Sequence, residues 1–366
     1  MKKLGVIKWL LLLFNIVVVI LLAMSQLAIY IPPSKQVLFS IMALFYPVIL
    51  AINILLLFIW LIFKRKYWLI SLIVIVLGFQ NISNNFQFHP QKECIKTADD
   101  IKIITYNVRL FSTDRTGKDS PVLKNNILEF LRSEQPDIIC LQEYHSLDRN
   151  VYAPLKELTN RLEQNIYYYE SYYSPRFDQL SGLVIFSKYK AVNKGKLKIS
   201  GSRTFGIYTD LLIDGDTTRV FNIHLASIRL QDSDIDFVLN PDFNNKQELK
   251  KHSSSIYSKL NRAFLLREKQ MKYITGVIRT SPYPVILCGD FNDTPSSFVY
   301  HRVNRLLTDS FTKAGSRLSR TYAGELPYLR IDYTFASDDF KVKCYDRIIQ
   351  YYSDHFPVLT IWEKTK

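Results

Sequence analysis

The first ninety residues of this 366-residue chain contain no Asp and no Glu; Glu93 is the first acidic side chain. Seven Lys or Arg are the only full charges in that stretch, and the runs between them are Leu, Ile, Val and Phe. Helices built from such runs have no polar face, which excludes a water-solvated helical domain. Cysteine is scarce: four residues, at 94, 140, 288 and 344, with no paired C-x-x-C spacing. That excludes a multi-bridge disulfide scaffold and a structural zinc site. There is no G-x-S-x-G, hence no serine nucleophile elbow, and no G-x-G-x-x-G to cradle a dinucleotide. A long uniform basic stripe and a low-complexity tail are missing too.

What the N-terminal part does have is length. Residues 9–31 form an apolar run of the ~20 residues that cross a bilayer as a helix. Pro32 and Pro33 end it. A second run, 37–63, is long enough to cross with tilt and stops at Lys64, Arg65 and Lys66. The third, Trp68 to Phe79, falls short even when extended over 67–82, so it reads either as an interfacial or re-entrant segment or as a crossing. Lys2, Lys3 and Lys8 together with the 64–66 triplet put both those points on the cytoplasmic side. No charge stands between Tyr67 and Lys92, which favours a third crossing and places the rest of the chain outside the cytoplasm. A cleaved signal peptide is the competing account of residues 1–25. The run is longer than a signal core and a second follows at once, so it reads as an uncleaved anchor. The expected division is 1–90, a membrane anchor with two or three helices contacting the bilayer through residues 1–82, and 91–366, a soluble domain.

The soluble part keeps 40 of the 47 basic residues and all 33 acidic ones, a net charge of +7. Such an excess suits a polyanionic or anionic-lipid partner as well as no partner at all. Strand-like runs lie at 101–108, 138–142, 183–188, 207–214, 218–225, 285–289, 331–337, 340–349 and 356–363. Helical spacing marks 121–134, with Pro121 at a helix start, and 256–278. Between them, 231–255 is polar and poorly periodic and reads as a long loop excursion. The tyrosine-rich YYYESYY at 167–173 fits base stacking, a membrane interface or a packed strand. Cys140 and Cys288, inside apolar strings, are expected to be buried thiols, while Cys94 and Cys344 are free to pair in an oxidising compartment.

Five polar strings end apolar runs: TYNV at 105–108, LQE at 141–143, GDFND at 289–293, RIDY at 330–333 and SDH at 353–355. Each supplies the Asn, Asp, Glu or His that metal-assisted phosphoryl transfer needs. In this order the set resembles the endonuclease/exonuclease/phosphatase superfamily, which includes exonuclease III, pancreatic-type deoxyribonucleases, inositol-polyphosphate 5-phosphatases and bacterial sphingomyelinases. The resemblance covers residue 100 to the C-terminus. It implies an α/β four-layer α-β-β-α sandwich (deoxyribonuclease I-like), here preceded by N-terminal transmembrane helices.

Chemistry and resemblance assign the same residues. Glu143 ends its strand where an unpaired carboxylate would be costly, and matches the family's metal-binding Glu. Asn107 can donate and accept at once, suiting the organisation of metal and phosphate. Asp290 and Asn292, two apart, share one side of an extended segment, and the family assigns them to the attacking water and a phosphate oxygen. His355 is the main proton-transfer candidate, because an imidazole can take and give protons near neutral pH, with Asp332 fixing its tautomer and Asp354 facing the metal. His224, in FNIHLAS, matches a second family histidine that contacts phosphate. The expected cation is Mg²⁺, with Mn²⁺ open, since hard ions take oxygen ligands. The expected activity is hydrolysis of a phosphodiester or phosphomonoester, in nucleic acid or in a lipid or sugar phosphate. A bacterial inner-membrane protein with an extracytoplasmic catalytic domain is the expected setting. A non-catalytic binding or scaffold module on the same fold is the alternative; it would have lost central residues, and none is lost.

Overall fold

The computed structural model describes residues 2–365 apart from 91–92, 113–119, 146–151, 175–178, 201–202, 242, 244 and 325–327. The chain falls into two compact units: 1–85 with 226–269 and 294–301, and 86–225 with 270–293 and 302–366.

The first unit starts with α1 (Lys2–Leu27), which contains a 22-residue stretch long and apolar enough to cross a membrane. The run 37–63 is two helices, α2 (Val37–Leu44) and α3 (Tyr46–Ile62), bent by 70°. Pro47 explains the break, because its ring disfavours a helical residue before it and its nitrogen cannot donate. The short third run becomes α4 (Trp68–Leu77) and α5 (Phe79–Asn85), bent by 66° at Gly78. Each bent pair passes the length and hydropathy test for a span only if taken as one.

Interhelical hydrogen bonds set the directions of these helices. Going along α3, Asn53 donates to the Val18 carbonyl, Trp60 to Asn15 Oδ1, and the Phe63 ring lies under Lys8 Nζ, so α3 runs against α1. Going along α4 and α5, Ser71 accepts from Asn15, Val74 accepts from Gln26, and Asn81 donates to the Gln26 carbonyl, so this pair runs with α1. Buried amides joining apolar helices in this way are a common means of fixing helix pairs in lipid. At the far end, Ser34 donates twice to Glu268 at 2.8 Å, and Asn85 donates to Ser296.

The 231–255 excursion is mostly helical, contrary to the expected loop. Helix α8 (Asp232–Leu239) opens with a capping box between Gln231 and Asp234, and α9 (Lys246–Arg279) begins ten residues earlier than its apolar spacing suggests. Lys, Gln, Glu and Leu fill its first six positions, 246–251, so helix propensity rather than an apolar stripe starts it.

The second unit is built on two six-stranded sheets. One has the order β13 (Phe340–Arg347), β14 (Val358–Lys364), β2 (Asp100–Asn107), β3 (Ile138–His145), β5 (Gln179–Ser187), β4 (Ile166–Ser174). The other runs β10 (Thr308–Asp309), β12 (Asp332–Ala336), β9 (Val285–Asp290), β8 (Asp216–His224), β7 (Thr204–Ile213), β6 (Lys190–Lys198). A small ribbon pairs β1 (Phe86–Phe88) with β11 (Ser316–Leu318). Among the described residues, only β2–β3 and β8–β9 are parallel pairs. The tyrosine-rich 167–173 lies in strand β4, with Tyr168 and Tyr169 partly buried against the apolar layers. Strand β6, KAVNKGKLK, escaped the sequence reading because it lacks apolar alternation; its lysines suit an edge strand that must not pair further.

Alternation along the strands sorts side chains into layers. Ile101 and Ile103 of β2, Ile138 and Cys140 of β3, Val220 of β8, and Ile286 and Cys288 of β9 pack between the sheets. Ile104, Tyr106, Ile139 and Leu141 face the other way, against α6 (Pro121–Glu134) and α7 (Tyr152–Arg161). Ser120 caps α6 ahead of Pro121, as the sequence implies. On the second sheet, Phe205 of β7 meets Tyr273 of α9 edge to face, and α11 (Ser310–Ala314) inserts Phe311 against Tyr345. The result is the four-layer α-β-β-α sandwich. Helix α10 (Phe298–Asn304) follows the loop after β9.

Cys94 and Cys344 are disulfide-bonded, with Cα atoms 5.4 Å apart and a sequence separation of 250; Cys140 and Cys288 are free and buried. The bond ties the segment entering the sandwich to β13. Because so long a loop is closed, Cys94→Ser, or reduction of the native protein, is expected to cost about 2–5 kcal/mol, read as a lower urea midpoint for the second unit. An unchanged midpoint would mean the bridge adds no stability.

Candidate active site

The strand parity that builds the inter-sheet core also builds the site. Asn107 continues the Ile101–Ile103 face of β2, His224 the Val220 face of β8, Asp290 the Ile286–Cys288 face of β9, and Asp332 shares the Ala336 face of β12. All four sit at strand ends. Register aligns them: His224 is level with Asp290 across a parallel pair, and Asp332 is level with Asp290 across an antiparallel one. Gly289 allows this close pairing. Its φ is +140°, and a Cβ there would stand 2.0 Å from the Ile223 carbonyl oxygen.

Glu143 reaches the same rim by a different device. In a regular strand it would follow Ile139 and Leu141 towards the helices. A register shift between Leu141 and Tyr144, with φ of +51° at Glu143, inserts an extra residue and turns the carboxylate to the inter-sheet side. There Glu143 Oε1 lies 3.6 Å from His224 Nε2. Beneath it Gln142 donates to Asn222 at 2.7 Å, and Asn222 donates to the Leu141 and Val184 carbonyls, clamping the sheets together.

Asp290 is the hub. Its Oδ2 accepts from Asn107 Nδ2 at 3.0 Å and from Asn292 Nδ2 at 3.1 Å, and its Oδ1 accepts from the Asn292 backbone N–H at 2.7 Å. Asn292 holds a left-handed φ of +53° and also donates to the Leu225 carbonyl. His224 Nε2 is 3.6 Å and His355 Nε2 3.9 Å from Asp290 Oδ2. Burial, with Asp332 nearby and against the pull of His355, pushes the Asp290 carboxyl up to about 6. Burial and then the Asp354 charge likewise raise Glu143.

His355, in the turn before β14, places Nδ1 2.9 and 3.1 Å from the two oxygens of Asp332. Burial works against its charged form, but the carboxylates of Asp332 and Asp290 outweigh it and push the imidazole up to about 10. The ring is therefore an imidazolium at neutral pH. Asp354 turns to Arg109, whose Nε is 3.4 Å away.

Four further residues at the rim were not singled out in the sequence. Thr321 Oγ1 accepts from the backbone N–H groups of Ile331 and Asp332, and its carbonyl accepts from Phe356 N–H, so one residue steadies both halves of the Asp332–His355 pair. Tyr322 packs edge-on against the His355 ring, Ser353 Oγ donates to the Asn107 carbonyl, and Arg109 faces Asp354. Ser353 opens the SDH string and Arg109 follows TYNV; Thr321 and Tyr322 carried no local signal.

The donor set fits a hard divalent cation. Glu143, Asp290, Asp332 and Asp354 gather four carboxylates, two of them held above their usual range by burial and mutual charge, which is the imbalance a cation relieves. Ligand atoms of Asp290, Asp332 and His355 also lie within 4.8 Å of one another. In that trio, however, Asp332 already engages His355, and the nitrogen is a poor match for a hard ion.

Comparisons with known proteins agree with the fold. A family model described as the endonuclease/exonuclease/phosphatase family matches residues 104–355, and a model for a domain of unknown function, DUF8431, matches 8–85. No curated protein matches the chain in sequence. Among solved structures, an endonuclease/exonuclease/phosphatase from Beutenbergia cavernae superposes with a TM-score of 0.52 at 17% identity, over 73% of this chain and 72% of that one. The human Nocturnin catalytic domain with bound sulfate gives 0.51 at 18% identity, over 74% and 97%. At these identities the likeness is one of fold. The family match extends from the middle of β2 to His355 itself, and with it this chain belongs to the endonuclease/exonuclease/phosphatase family, hydrolases of phosphoester bonds that typically use divalent metals.

Proposed function

We propose that the chain is a membrane-anchored, Mg²⁺- or Mn²⁺-dependent phosphoesterase, with residues 1–90 as anchor and 91–366 as catalytic domain. The observation that carries this reading is the meeting of Asn107, Glu143, His224, Asp290, Asp332 and His355 at one end of the two sheets. Glu143, Asn107 and Asp354 offer oxygens and would hold the cation, leaving Asp290 and the Asp332–His355 pair for proton transfer. The metal, when bound, supplies Lewis-acid polarisation of the phosphate and stabilises the leaving oxygen.

Asp290, poised at about 6, takes a proton from the attacking water. Asn107 and Asn292 hold its oxygens so that it points one way. His355, kept charged by Asp332, donates to a non-bridging phosphate oxygen and stabilises charge as it builds. His224 adds a second donor to phosphate from the β8 side.

The setting is read from charge and redox. The antiparallel and parallel contacts of α1, α3 and α4–α5 support three crossings, with Lys2, Lys3, Lys8 and Lys64–Lys66 on the cytoplasmic side. The Cys94–Cys344 bridge suits an oxidising, extracytoplasmic compartment.

The test is hydrolysis of bis(p-nitrophenyl) phosphate by the full chain in detergent micelles, before and after chelation. Chelation is expected to lower turnover by about 10²-fold or more, with recovery on adding Mg²⁺ or Mn²⁺. Turnover indifferent to chelation, or a folded protein that binds no divalent cation, would sink the reading.

A further inference from the structure

Asp332 and His355 meet at 2.9 and 3.1 Å, yet they stand on different sheets: Asp332 opens β12 of one, and His355 precedes β14 of the other. Strand pairing fixes each residue within its own sheet but leaves the gap between them free. A working proton-transfer pair needs that gap held to within about 0.5 Å. A group outside both strands must therefore hold it.

Residues 321–323 reach both sides. On the His355 side the contacts are backbone ones: Phe356 N–H donates to the Thr321 carbonyl at 2.7 Å and Ala323 N–H to the Asp354 carbonyl at 2.6 Å, with Tyr322 paired to His355 between them. The Tyr322 ring lies edge-on to the imidazole, centroids 5.4 Å apart. On the Asp332 side, the N–H groups of Thr321 and Tyr322 both donate to the Leu329 carbonyl at 3.0 Å. Thr321 Oγ1 accepts from Ile331 N–H at 2.9 Å and from Asp332 N–H at 3.0 Å. Among the described residues β10 pairs with β12 at Phe335 and Ala336 alone, so at 331–332 the hydroxyl supplies an acceptor that no neighbouring strand offers on that edge.

The two sides differ in what they require of the sequence. Any residue but proline can make the backbone bonds to 354–356. The bonds to 331 and 332 need a short side chain with an acceptor oxygen, and β-branching restricts its rotamers. Thr321 is fully buried, so bulk water has no access, and without its oxygen two N–H groups beside the Asp332 carboxylate lose their acceptor.

We propose that Thr321 is the positioning residue of the Asp332–His355 pair: its hydroxyl sets the backbone that aims the Asp332 carboxylate at His355 Nδ1, and so keeps Nε2 turned towards Asp290 and the phosphate. In this role it acts through the pair alone and touches neither metal nor substrate. Its effect on rate rests on the phosphoesterase reading above; its effect on the hydrogen bond does not.

Thr321→Val keeps the shape and removes the acceptor. With the full chain in detergent micelles and bis(p-nitrophenyl) phosphate as substrate, it is expected to lower kcat about 10–100-fold with KM unchanged. Thr321→Ser restores the oxygen and should recover most of the rate. In a His355→Ala chain the valine should add no further loss, because no ring is left to position. The bond is also read without turnover, from the far-downfield proton resonance of a histidine N–H held by a carboxylate. That signal should be present in wild type and in Thr321→Ser, absent in His355→Ala, and shifted or lost in Thr321→Val. If the valine variant does not melt as a folded protein, Thr321→Ala takes its place against Thr321→Ser, with the same order expected. An unmoved resonance in the valine variant, a loss that appears in KM, or one that adds in full to His355→Ala would each overturn the positioning role. A wild-type chain that shows the resonance and cleaves nothing would overturn the phosphoesterase reading, and the spectra of the variants would still decide the role of Thr321.

Discussion

His355→Ala is expected to lower kcat on a generic phosphodiester by about 10³–10⁴-fold with little change in KM, because the charged ring acts on phosphate as negative charge builds in the transition state. Asp332→Asn should cost about 10²–10³-fold, since the amide keeps the shape of the carboxylate but removes the charge that keeps His355 protonated. If the two act as one unit, the double variant will be scarcely slower than His355→Ala alone, and adding the separate effects will overshoot. Both residues are buried, and removing one partner leaves the other unpaired, so each variant must be checked by thermal melting. His355→Asn retains a hydrogen-bond donor for Asp332 and separates the two roles: it should recover most of the melting temperature and little of the rate. Wild-type turnover in a folded His355→Ala enzyme would remove the histidine from the chemistry.

The parts of the site that were legible in the sequence are those where strand alternation and motif coincide. Asn107, His224 and Asp290 each stand an even number of positions after residues of the inter-sheet core, so the parity that marks the strand also fixes where the polar residue points. Glu143 breaks that rule. Its string was visible, but the bulge that turns it to the correct side is a backbone event with no side-chain signature. Thr321 and Tyr322 were invisible for another reason: they act through tertiary pairing with 331–332 and 355–356, and nothing local announces it. In the fold, apolar strands were found and the lysine-rich edge strand β6 was not. The helices of 231–255 were hidden because propensity and a capping box specify them where no buried stripe repeats. The bend in the second apolar run was written at Pro47 and overlooked within an otherwise uniform stretch.

Glu143→Gln should make the metal-free protein more stable and the metal-loaded one less so. In the metal-free site the Glu143 carboxyl is held above its usual range by burial and by Asp354, so its charged form is less favourable there than in the unfolded chain, and a neutral amide of the same shape removes that penalty. With the cation present the sign reverses, because the charge that strained the empty site becomes its ligand. At a metal concentration about 100 times the dissociation constant, binding stabilises the wild-type fold by about 2.7 kcal/mol, a rise of roughly 5–10 °C in the melting temperature of a domain this size. The variant should show a higher starting temperature and lose most of that rise. The same experiment separates the two possible ligand sets. If the ion sits instead among Asp290, Asp332 and His355, Glu143→Gln will leave the metal-dependent rise intact and Asp332→Asn will abolish it. Melting curves with and without Mg²⁺ on these two variants therefore decide which carboxylates hold the metal, without any assumption about the substrate.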